Sequence, residues 1–201
     1  MVDFRRAKIA IAVMALALPL SACGVNSVPT AEEAAKNAFA NYQAALQRRA
    51  DLLPNLNATV KGAASHEKEV QIGVTTARAA ATAAGSATLS ANDLTDAAKV
   101  KAFQDAQGAA SAALLSVRNT VEAYPDIKAN ENFRDLSIAI EGTENKINIA
   151  LRDYNSAVQT YNTTIRTFPD AIGAKIFYGA KPMIPFAASA PNPTKAPEVK
   201  F

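Results

Sequence analysis

The sequence has no tryptophan, a single histidine and a single cysteine, and aromatic residues make up only 6% of its 201 positions. With so few Cys and His, no zinc site of the usual Cys and His kind can be assembled, and a Cys/His or Ser/His nucleophile would have to rely on His66 alone. Glycine is equally sparse at eight residues, and none of it forms a phosphate-binding loop. No catalytic set remains, no cofactor is implied, and a non-enzymatic role is expected. Alanine supplies much of the 49% hydrophobic content, which suits long helices packed closely and not a strand-rich fold.

Charge is also nearly absent in net terms. The formal +3 is mostly a property of the first residues, because Arg5, Arg6, Lys8 and Asp3 all precede Cys23, leaving 18 basic residues against 17 acidic ones beyond it. A basic surface for nucleic acid therefore has no support, and no nucleic-acid partner is expected.

What is present starts with "ALPLSACG", an apolar run that ends on the only cysteine. Residues 1–22 have the basic, apolar and small-residue parts of an export signal, and the apolar run is about a dozen residues where a spanning helix needs about 20. Leu20-Ser21-Ala22-Cys23 resembles the bacterial lipoprotein signal, which implies a diacylglycerol thioether on Cys23 and cleavage just before it. Two or more acyl chains hold stably to a bilayer where one is marginal. An uncleaved signal anchor and an ordinary cut that leaves a free thiol are the alternatives. Lipidation at Cys23 gives a lipid-anchored protein of the bacterial envelope facing the periplasm, and Gly24 in place of Asp leans towards the outer membrane.

Residues 23–29 are expected to be a tether. In "TAEE", Thr30 and Glu33 form a capping-box pattern that starts a helix near Ala31. Apolar positions then alternate at spacings of three and four from Phe39 through Leu56 to Ala77, with Pro54 inside the seam as a kink or, with Asp51 as cap, a restart. A second helix is expected from about Asp93 to Pro125, with Phe103, Ala106, Ala110 and Leu114 on one face, and a third from Asn130 to Phe168. Asp170 to Tyr178 is a short fourth. The expected fold is all-α: an antiparallel up-and-down bundle of three long helices plus a shorter fourth over residues 30–179, with a proline-rich extended tail, 180–201, that trails or straps the bundle.

Polar residues inside the seams are the candidate site. Arg49 needs a carboxylate, for which Glu122 and Glu144 are candidates, and Thr143, Glu144 and Asn145 interrupt the third helix. This layer either fixes register or binds a partner. The corner "EAYPDIKANENF" gathers Tyr124, Pro125 and Asn132, with Asn130 as a cap. His66 and Glu67 make a possible pH-sensing pair near the ordinary histidine value of about 6.5.

Taken together, "QRRADLLPNLNATVKG", "HEKEV", "EAYPDIKANENFRDL", "EGTENKINIALRDYNSAVQTYNTTI" and "FPDAIGA" resemble the LemA family from about Tyr42 to Ala174. The resemblance implies an antiparallel helical bundle of the four-helix type at the bacterial envelope, with no catalytic residues to carry over. It marks Arg48, Arg49, Asp51, Leu52, Pro54, Asn55, Leu56, His66, Glu67, Tyr124, Pro125, Asn132, Phe133, Glu144, Asn145, Arg152, Tyr154, Asn155, Tyr161 and Asn162 as motif positions. The family usually opens with an N-terminal membrane helix followed by a Tyr-Asn pair, where this chain has the leader and Cys23. The expected function is a membrane-anchored scaffold that binds an envelope protein; the alternative is a binding protein for a small ligand or peptide between helices.

Overall fold

The computed structural model describes residues 2–63 and 68–187, with side chains for 26–56, 58, 59 and 68–187. Six α-helices are present among them: α1 (Val2–Ala63), α2 (Lys68–Ser86), α3 (Ala97–Val121), α4 (Pro125–Ala129), α5 (Glu131–Thr164) and α6 (Asp170–Gly173). A 3₁₀ turn, Ala91–Asp93, precedes α3, and a π-type turn, Ala174–Tyr178, follows α6. The all-α expectation holds, and the long helices pack as an antiparallel bundle.

The bundle has four long helices where three were expected, because the first seam is divided between α1 and α2. The seam through Val70, Val74 and Ala77 is buried as read, but it lies on α2, which runs back along α1 so that Ala81 lies near Ala50 and Leu89 near Gln43. A three-four spacing does not register a reversal when the apolar positions stay in step across it. Asp170 to Tyr178 is helical as expected, α6 continued by the π-type turn, and packs against α1.

Two other boundaries also differ. α1 runs unbroken through residues 23–29 and Thr30, so no helix starts at Ala31. Thr30 Oγ1 donates to the Asn26 carbonyl at 2.7 Å, a bond made inside a helix and not at a cap. α1 also continues through Pro54, so Asp51 caps no restart; its carboxylate accepts from Gln47. The α3 cap is Asp96, whose carboxylate accepts from the Ala98 and Lys99 amides, while Asn130 caps α5 as expected, accepting from Phe133.

Apolar packing falls into two clusters. One surrounds Phe39, Tyr42, Phe103, Tyr154 and Phe186, and the other surrounds Leu53, Val70, Val117, Ile127 and Phe133. Residues 181–187 form an extended strap that belongs to the first cluster, with Met183 and Phe186 buried. Phe186 meets four rings, closest at 4.5 Å from Tyr154. The strap half of the tail expectation thus holds over 181–187; the rest, 188–201, lies outside the described residues. Among residues with described side chains, no helix is long and apolar enough to cross a membrane.

Candidate functional site

Arg49 sits between the two apolar clusters and is 3% exposed. Its guanidinium donates to Ser111 Oγ at 2.7 Å, to Gln107 Oε1 at 2.5 Å and to Glu144 Oε1 at 3.3 Å. Gln107 donates in turn to the Ala84 carbonyl at 3.0 Å, one of the last carbonyls of α2, which have no partner within their own helix. One buried cation therefore ties α1, α2, α3 and α5 together. Burial of Arg49 is tolerable because its fork is matched on three sides, and no buried side-chain polar atom among the described residues lacks a partner.

Of the two carboxylates the sequence offered, Glu144 pairs with Arg49 and Glu122 does not. Glu122 lies at the end of α3 and pairs with Lys128, which holds its carboxyl below the usual range. Gln107 and Ser111 escaped the sequence reading. Alternating from Phe103 by four and three reaches Gln107, Ala110 and Leu114, whereas choosing apolar residues selects Ala106 instead. Thr143 is buried but satisfied locally by the Ala139 carbonyl. Burial raises the Tyr42 phenol to about 12, with the neighbouring Arg49 pulling slightly the other way and Glu144 adding to the rise.

Below the Arg49 layer, α3 and α5 stand apart and leave a cleft of about 540 Å³. Its walls include Leu114, Leu115, Phe133, Ile138 and Ile140, and Glu144 lies along it with Glu141. Leu115 and Ile138 are more than half exposed on its two sides. Of the predicted residues, Glu122, Glu144 and Asn145 line this cleft. Tyr124, Pro125 and Asn132 do not: Tyr124 donates to Glu69 at 3.0 Å, Pro125 opens α4, and Asn132 is exposed on the first turn of α5. Cys23's side chain, His66 and Glu67 lie outside the described residues.

At the other end of the bundle, the strap is held by a paired device. Tyr154 and Tyr161 donate their hydroxyls to the carbonyls of Ile184 and Lys181. Beside them, Asn155 donates to the Phe186 carbonyl and accepts its amide, both at 2.8 Å, and Asn162 does the same for Met183 at 2.8 and 2.9 Å. The sequence offered a signal in "DYNSAVQTYN", two Tyr-Asn pairs seven residues apart, but Tyr read as core and Asn as surface conceals it.

The described residues contain no group of His, Cys, Asp and Glu that could hold a metal ion. The fold and this layer define a helical-bundle protein with a buried polar tie and an open side cleft. The chain belongs to the LemA family, whose sequence model matches residues 38–201. No curated protein matches it significantly.

Proposed function

We propose that this LemA-family chain is a lipid-anchored protein of the bacterial envelope whose bundle holds a partner protein and performs no chemistry. The observation that carries the partner reading is the α3–α5 cleft, where exposed Leu115 and Ile138 flank a floor fixed by the Arg49 layer. Apolar walls with a polar rim are the usual anatomy of an interface. The anchor rests on the sequence around Cys23 and faces the bundle towards the periplasm, with the outer membrane favoured by Gly24.

Photoreactive residues at Ile138 and Asn145 in intact cells test the partner. One recurrent envelope protein, lost on Ile138→Asp while the bundle stays folded, supports this reading; capture of lipid and solvent alone overturns it. Cys23→Ser should release the protein from membranes and abolish palmitate labelling, and retention would instead mean an uncleaved anchor. A ligand-binding reading uses the same cleft, because the recess beside Arg49 holds only about 170 Å³, below the usual size of a ligand pocket.

A further inference from the structure

The turn that closes one end of the bundle wears its large residues outward. Gly173 and Ala174 are buried and seat the turn, while the bulky side chains around them face away. Phe168 is 78% exposed, Ile176 and Phe177 are 68% each, and Ile172 and Tyr178 also stand out. Among the described residues, these five are more than half of the large apolar side chains left exposed, and all fall within residues 168–178. Scattered apolar residues on a surface are ordinary, but a run of them on one turn forms a patch that marks a contact. The turn is firmly placed: α6 packs on α1, and Gly179, at a φ of 54°, ends the helical stretch with a left-handed cap.

Its position decides what covers it. α5 runs antiparallel to α1, with Glu144 beside Arg49, Tyr161 near Glu32, and Ile165 and Ala174 in one apolar cluster with Val28. The patch therefore lies at the end of the bundle from which α1 continues back towards Cys23. The strap leaves the other way, from Lys181 at Tyr161 to Phe186 at Asn155, which carries the chain away from the patch. Charge around the patch is mainly positive. Arg166, Lys175 and Lys181 are exposed, and Asp170 is the only carboxylate in residues 154–187. On the nearby stretch of α1, Glu32 and Glu33 are both paired with Lys36.

We infer that this patch sits in the surface of an anionic lipid bilayer, with Phe168, Ile172, Ile176 and Phe177 entering the acyl boundary and Arg166, Lys175 and Lys181 meeting lipid phosphates. Apolar tips, an amphipathic tyrosine and flanking cations are the composition of an interfacial segment. The inference rests on the anchor reading, which brings this end to the membrane; a lipid on Cys23 and an uncleaved leader serve equally, since both leave from the same end of α1. It adds how the bundle stands. From Val28 to Leu56, which lines the α3–α5 cleft, α1 rises about 40 Å, so a bundle standing on the patch holds the cleft clear of the headgroups.

The sequence has no tryptophan, so Phe177→Trp supplies a single reporter. The probe is the mature chain, 23–201, carrying Cys23→Ser and Phe177→Trp; both apolar clusters begin at Val28 or later, so both are retained whole. On phosphatidylethanolamine vesicles containing about a quarter phosphatidylglycerol, its emission should shift to the blue and be quenched by lipids brominated high in the acyl chain, half-saturating at or below about 1 mM lipid. A tryptophan placed instead at Ile138, in the cleft, should do neither. Ile172→Asp and Ile176→Asp should each weaken binding about tenfold or more, and Lys175→Ala about fivefold, with raised salt acting in the same direction. All three positions are exposed, so circular dichroism should show the variants folded. The inference is overturned by a reporter that vesicles leave unchanged or by binding indifferent to Ile172 and Ile176. It is equally overturned by self-association that Ile176→Asp abolishes, which would make a second copy the cover, or by crosslinks from a photoreactive residue at Ile172 to residues 188–201. Binding of this strength does not survive washing of membranes, so Cys23→Ser should still free the protein in cells. Release by Cys23→Ser without vesicle binding would keep the lipid anchor and remove the patch; vesicle binding with Cys23→Ser retained in cells would keep the patch and replace the lipid by an uncleaved anchor.

Discussion

Among single residues, Arg49 carries the most consequence, because its three acceptors come from two other helices and it is almost wholly buried. Arg49→Ala should cost about 3 kcal/mol in urea denaturation, mostly from leaving Gln107, Ser111 and Glu144 unmatched. Arg49→Lys should recover part of that, since an ammonium keeps the charge but cannot present a planar fork. Tyr42 supplies part of the pH dependence at high pH, where burial also raises Tyr154 and Tyr161. The Tyr42 phenol is neutral in folded and unfolded chains below about 10, the ordinary tyrosine value. Above that, the unfolded chain loses this proton while folded Tyr42 keeps it up to about 12, so stability falls across that window. Urea midpoints at pH 9 and 11.5 should show the fall, and Tyr42→Phe should remove its share of the slope. The need of Arg49 for a carboxylate was legible in the sequence because a buried charge demands an opposite one; which of Glu122 and Glu144 would supply it was not. Gln107 was not, because an uncharged polar residue in a seam carries no such demand.

At the scale of elements, the sequence conveys helices well and their ends poorly. Most described positions of the long seams proved buried, since a period of 3.6 residues leaves a face that must be covered, although Phe168 at the end of the third is exposed. The reversal before Lys68 left no mark, because its neighbours keep the apolar step and are rich in alanine. Thr30 shows the opposite error: "TAEE" has the letters of a capping box, yet the upstream residues continue the helix and supply the acceptor that a cap would lack. Thr30→Ala should therefore raise thermal stability slightly, by about 0.5 kcal/mol of helix propensity, where loss of a true cap would cost about 1 kcal/mol. A thermal melt decides between the two signs.

For the whole molecule, the strap matters more than its length suggests. Prolines in "KPMIPF" announce an extended segment, but which face it would cover depended on Tyr154 and Tyr161 directing their hydroxyls outward to it. Phe186 stands at the hub of rings contributed by α1, α3 and α5. Phe186→Ala should cost about 3–4 kcal/mol and speed amide exchange throughout that half of the bundle, not in the strap alone. Asn155→Ala should give a smaller loss, about 1–2 kcal/mol, with faster exchange confined to the Phe186 amide and its neighbours. Hydrogen exchange read by mass spectrometry separates these patterns.

That hub has a temporal side. A ribosome delivers Phe39 and Tyr42 long before it reaches Phe186, so the aromatic cluster that unites them cannot close until the strap has been made. Early helices wait with one end of their core unsealed, and the strap is what finishes it. A polypeptide arranged in this order stays threadable until its strap emerges and locks only after that.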